Sequence, residues 1–117
     1  MKTYLFSLCG EDLGTMAADE AAAVIRTETG SEPSGLETGP GWLTATFDER
    51  FLDAIASRLA LTKEIGELLC TFSPEDTSPA ASVSLPEGSF AVRAYRFGGN
   101  MKDVDSQKLC GRIGALL

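Results

Sequence analysis

Between Thr3 and Phe72 the apolar residues switch repeatedly between alternate spacing and a spacing of three to four, and cap or turn residues mark each switch. Thr3 to Cys9 (TYLFSLC) is apolar on both alternating faces, which predicts a central strand covered on at least one side. Thr15 is placed to cap a helix running to about Thr29. Ala17, Ala21, Val24 and Ile25 lie at helical spacing within it, and Gly30 supplies the stop. Glu37 to Gly41 (ETGPG) is turn chemistry between two short strands. The second of these, Trp42 to Phe47, alternates Leu43, Ala45 and Phe47 against Trp42, Thr44 and Thr46. Asp48 is a natural N-cap for a helix through about Ala60, with Phe51, Leu52, Ile55 and Leu59 as its buried stripe. Glu64 to Phe72 (EIGELLCTF) then predicts a strand with Gly66, Leu68, Cys70 and Phe72 on one face.

The order is βαββαβ, so the fold class expected for residues 1–72 is α+β, a ferredoxin-like half with an antiparallel sheet and two helices on one face. Residues 73–88 (SPEDTSPAASVSLPEG) hold three prolines among polar residues and read as a linker with room for one short strand at Ala81 to Leu85. In residues 89–117, Phe90, Val92 and Ala94 alternate with Ala91, Arg93 and Tyr95 as a half-buried strand. Gly98, Gly99 and Asn100 make a turn. Asp105 or Ser106 can cap a last helix whose Leu109, Ile113, Leu116 and Leu117 form an apolar stripe. A lone strand and helix cannot bury their own apolar faces, so partner strands are expected beyond Leu117.

Charge divides along the same boundary. The net charge is −7, yet Ser89 to Leu117 carries five basic residues against two acidic, a net of +3, and leaves −10 on residues 1–88. A basic element on an acidic body points to an anionic partner. The candidate phosphate contacts are Arg93, Arg96, Lys102, Lys108 and Arg112, and Tyr95 beside Arg96 is placed to stack on an unpaired base. The competing reading for each cation is a solvated face, and for Tyr95 packing across a sheet. Trp42, on the outer face of its strand, is a candidate for a domain or base contact, against partial burial by a neighbouring loop.

Several chemistries are excluded or disfavoured. The chain has no histidine, which removes histidine-based nucleophilic pairs, metal sites and acid–base work. Cys9, Cys70 and Cys110 are far apart, odd in number and without a CxxC pair. A disulfide framework or zinc site is not expected, and a reducing, cytoplasmic location is. No stretch approaches the ~18 apolar residues that a membrane span needs, so no membrane partner is expected. Gly10 and Gly14 in GEDLG fall short of a dinucleotide-binding pattern. Asn100, Asp103 and Asp105 match no complete cation loop, so no metal is expected. The adjacent acids Asp19/Glu20 and Asp48/Glu49 point different ways on a helix and make poor acid–base partners.

Two stretches carry a resemblance: RLALTKEIGELL (Arg58 to Leu69), and SFAVRAYRFGG followed by DSQKLCGRIGALL. Together with the opening YLFSLCGEDLGTMAADEAAAVI, they resemble the N-terminal region of archaeal-type, THUMP-containing tRNA guanine-N2 methyltransferases. The resemblance implies a ferredoxin-like domain (1–72), a linker (73–88) and the start of a THUMP domain (89–117). Its implied role is non-catalytic positioning of tRNA. It also implies a C-terminal methyltransferase domain as partner, using S-adenosylmethionine as cofactor. No glycine-rich cofactor loop and no Asp/Asn-Pro-Pro-Tyr motif occurs in the chain, so neither a catalytic residue nor a cofactor is expected within it. Weak tRNA binding is expected for these residues alone, with a homodimer through an uncovered last helix as a consequence of truncation. The alternative is a ferredoxin-like interaction or ligand-sensing module that dimerises and does not bind RNA.

Overall fold

The computed structural model describes residues 1–9, 15–72, 75–76, 78–83, 111 and 113–115. The chain divides into two compact units, Met1–Leu68 and Leu69–Leu117.

In the first unit, β1 (Lys2–Leu8), α1 (Met16–Thr29), β2 (Ser34–Gly39), β3 (Trp42–Phe47), a 3-10 turn (Glu49–Phe51), α2 (Leu52–Arg58) and β4 (Thr62–Glu67) follow one another. The four strands form one antiparallel sheet in the order β2-β3-β1-β4. This is an α+β architecture whose central pair is β1 and β3, registered with Tyr4 opposite Ala45 and Phe6 opposite Leu43.

One face of the sheet is apolar because period-two alternation places every second residue of each central strand on it. Tyr4, Phe6 and Leu8 of β1 and Leu43, Ala45 and Phe47 of β3 are buried there with Ala17, Ala21 and Ile25 of α1 and Ile55 of α2. Both helices therefore cover the same face. The Tyr4 ring stacks on Phe47 at 4.6 Å between centroids, and Phe6 meets Phe47 tilted at 6.3 Å. The opposite face carries Thr3, Trp42 and Thr46, and the Thr3 and Thr46 hydroxyls are hydrogen-bonded at 2.8 Å.

Gly30 ends α1 in the left-handed region, at φ 74°, and its N–H donates to the Arg26 carbonyl, as expected of a glycine stop. Thr15 behaves differently from its expected capping role. Its hydroxyl donates to the Asp19 carboxylate at 3.0 Å and makes no hydrogen bond to a helix N–H. Asp48 does cap its turn, accepting from the Arg50 N–H at 3.0 Å, but the first turn is 3-10 and α2 ends at Arg58.

The turn expected over Glu37–Gly41 is tighter than that. Glu37 to Gly39 pair with β3, and Pro40 and Gly41 alone reverse the chain. Proline with a glycine at φ 80° after it is the signature of a type II turn.

The largest departure is β4. The expected strand Glu64–Phe72 starts two residues earlier and stops at Glu67. The reason lies in its partner. Leu68 N–H donates to the Thr3 carbonyl at 2.8 Å and the same register sets Leu69 opposite Lys2, where β1 begins, so residues beyond Leu69 have no ladder left to join. The phase differs too. Ile65 lies opposite Phe6 and packs on the core, while Gly66, expected on the apolar face, is exposed opposite Leu5.

In the second unit, Ala81 and Ser82 close a 3-10 turn (Ser78–Ser82) where a short strand was expected. The Ser78 hydroxyl and N–H hold the Asp76 carboxyl below its ordinary value. Gly111 and Ile113 to Ala115 are helical, in keeping with the last helix read from the sequence. No helix among the described residues is long and apolar enough to cross a membrane.

Candidate functional site

Arg93, Tyr95, Arg96, Lys102, Lys108 and Arg112 all lie outside the described residues, as do Gly10, Gly14, Asn100, Asp103, Asp105 and Cys110. The chemistry that the first unit displays is concentrated along β4 and the segment that feeds it.

Glu20 organises that segment. From the middle of α1 its carboxylate accepts from the backbone N–H of Ala60 (3.1 Å) and of Leu61 (2.9 Å), the residues between α2 and β4. Those amides follow the end of α2 and have no strand partner, so the carboxylate supplies an acceptor the backbone lacks. Its neighbour Asp19 takes the Thr15 hydroxyl instead, so the two adjacent acids serve separate partners. Asp48 and Glu49 part in the same way: Asp48 caps Arg50, and Glu49 pairs with Lys2 at 3.1 Å. A further ion pair, Arg58 to Glu28 at 2.7 Å, ties α2 to α1.

Between α2 and β4 lies a groove of about 310 Å³, walled by Leu52, Leu59 and Ile65 and edged by Asp53, Lys63 and Glu64. Within it the buried Thr62 hydroxyl has no hydrogen-bond partner. A bulge sits beside it: Ser7 pairs with Glu64 but Leu8 pairs with Thr62, which leaves Lys63 as the extra residue.

Among the described residues β4 is an edge of the sheet. Because Leu68 and Thr3 form a hydrogen-bonded pair, the antiparallel alternation directs Glu64 and Gly66 toward β1 and turns the backbone groups of Ile65 and Glu67 outward. Lys63, freed by the bulge, is likewise unpaired with β1.

At the start of β1, Lys2 is flanked by Glu49 and, at 3.8 Å, by Glu67. The hydrogen bond and charge of Glu49 raise the Lys2 ammonium above its ordinary 10.5. Burial, aided by the negative charge of Glu49, raises the Tyr4 phenol above 10.0. Both groups hold their protons more tightly in the folded chain, so stability is complete below about pH 10 and falls as pH rises through the raised values. Urea midpoints measured from neutral pH to strong alkali are expected to drop from about pH 10 upward. Tyr4→Phe, which keeps the stacked ring and removes the phenol, should lessen the drop.

Trp42 is half-buried on the outer face, and its indole lies against the backbone of Gly39 across the hairpin. A Cβ at Gly39 would come within 2.5 Å of the indole nitrogen, so the glycine is required for this close approach. The contact of Trp42 is thus with its own neighbouring strand.

Among the described residues no three carboxylates or thiols gather in a way that could hold a metal. Cys9 and Cys70 are free thiols and half-buried, less covered than small core hydrophobes. The α2–β4 groove is at the bottom of the size range of small-molecule sites. The second groove, beside Arg50 and Phe51, is about 200 Å³ and below that range. Gly30, Gly35 and Gly41, the described glycines of positive φ, serve a helix stop, a strand irregularity and a hairpin turn. The chain matches no protein-family model, no curated protein and no solved structure.

Proposed function

We propose that the chain is a non-catalytic module that positions tRNA for a S-adenosylmethionine-dependent guanine-N2 methyltransferase. In this reading residues 1–72 are a ferredoxin-like half, and residues 89–117 begin a THUMP domain. The observation that carries it is the segregation of charge, +3 on residues 89–117 against −10 on residues 1–88. The strand order β2-β3-β1-β4 with both helices on one face supports the ferredoxin-like assignment. Arg93, Arg96, Lys102, Lys108 and Arg112 contact phosphates, and Tyr95 stacks on a base. The acidic first unit opposes strong attraction, so binding falls in the range of non-specific contacts, Kd about 10⁻⁴ to 10⁻⁶ M or weaker, and declines steeply with salt.

Filter retention of tRNA at low salt tests the assignment. Arg93→Ala, Arg96→Ala and Arg112→Ala combined should weaken retention and flatten its salt dependence. Retention unchanged in the triple variant removes those residues from the interface.

One observation favours a second reading, a protein-interaction module: the acidic first unit presents an edge strand, β4, with outward backbone groups. A dimer indifferent to tRNA supports that reading over the first.

A further inference from the structure

We infer that β4 is a self-association edge, pairing antiparallel with β4 of a second copy of this chain in the register that sets Ile65 opposite Ile65. The inference is independent of the RNA reading, since it uses none of the basic residues of 89–117.

Edge strands offer unpaired N–H and C=O groups, and among the described residues no strand lies on the far side of β4. Lys63 and the bulge beside it are devices that discourage indiscriminate pairing. What matters is which register they leave open.

An antiparallel two-fold partner must bring outward-facing residues together; the ladder turns Ile65 and Glu67 outward, and the bulge residue Lys63, unpaired with β1, stands two positions before Ile65. Centring the pair on Lys63 opposes two lysines, and centring it on Glu67 opposes two glutamates. Centring it on Glu64 again opposes two glutamates, and centring it on Gly66 joins no opposite charges. Only the Ile65-centred register sets Lys63 opposite the second copy's Glu67, twice by symmetry, with Glu64 opposite Gly66 and no like charges facing. Lys63, Glu64 and Glu67 are exposed, Glu67 lying 3.8 Å from Lys2 of its own chain, and Ile65 is half-buried, so these side chains are within reach of a partner. Ile65 also walls the α2–β4 groove, so the contact would cover the open side of that apolar surface. The preference for one register is written in the charges of a six-residue strand.

Such an interface is small, and weak, concentration-dependent dimerisation is expected. Sedimentation equilibrium of the full chain, from micromolar to about 1 mM, tests it. Lys63→Glu and Glu67→Lys should each weaken self-association by on the order of tenfold, as two attractive pairs become repulsive. The double variant, Lys63→Glu with Glu67→Lys, should restore it, because the swap recreates both pairs. Thermal melts of the same variants show whether each monomer remains folded, and the restored double variant keeps the test decisive if a single variant melts early. A chain monomeric throughout the range, a dimer insensitive to the single reversals, or a double variant that fails to recover would each overturn the inference.

Discussion

Phe47→Ala is expected to cost about 3–5 kcal/mol, the usual range for deleting a buried aromatic ring. Phe47 is only 2% exposed and is the shared partner in both aromatic contacts of the core, with Tyr4 and with Phe6. Its loss removes area and dispersion and leaves a cavity between the sheet and the helices that cover it, which neighbouring Ala45 is too small to fill. A unit of this length is stable by roughly 3–10 kcal/mol in all, so the variant should be largely unfolded or have a severely lowered urea midpoint. Phe47→Leu, which keeps most of the volume, should cost about half as much or less. Equal midpoints for the alanine variant and the natural chain would mean that the core is not centred on this ring.

Glu20→Ala carries the second-largest expected effect. The substitution leaves the Ala60 and Leu61 amides without their acceptor and removes charge-assisted hydrogen bonds, at a cost of about 2 kcal/mol. Alanine is a better helix former than glutamate, so the loss cannot be blamed on α1 itself. The decisive measurement is amide hydrogen exchange. Ala60 and Leu61 should lose protection well beyond the global change, whereas the amides of β3 should follow the global change alone. Glu20→Gln retains one acceptor oxygen and should recover part of the protection. Protection that falls evenly everywhere would reduce Glu20 to a generic surface contributor.

How far these features were readable in advance differs by residue. Trp42 to Phe47 folds with the alternation written in it, since a half-buried strand between two neighbours has little freedom in phase. The Gly30 stop and the Asp48 cap are equally local, each set by one residue's backbone or side-chain chemistry. EIGELLCTF was different. Its apolar residues suit two opposite phases, and only the position of Phe6 on β1 selects Ile65 for the core. Glu20 gave no signal beyond an adjacent acid, because its partners lie 40 and 41 residues along the chain. The contact of Trp42 with Gly39 was hidden for a similar reason, as it depends on which residues the hairpin sets opposite each other.

The amino-acid sequence by itself determined the order of strands and helices in the first unit, the face of β3 that is buried, the segregation of charge and the exclusion of histidine chemistry. These follow from local periodicity and composition, which need no partner to be expressed. Only the tertiary structure decided where β4 begins, stops and points, and which amides Glu20 holds. Both are settled by pairing across long sequence separations: β1 runs out of ladder at Lys2, and a helix carboxylate finds its donors in a turn that only the folded sheet brings within reach.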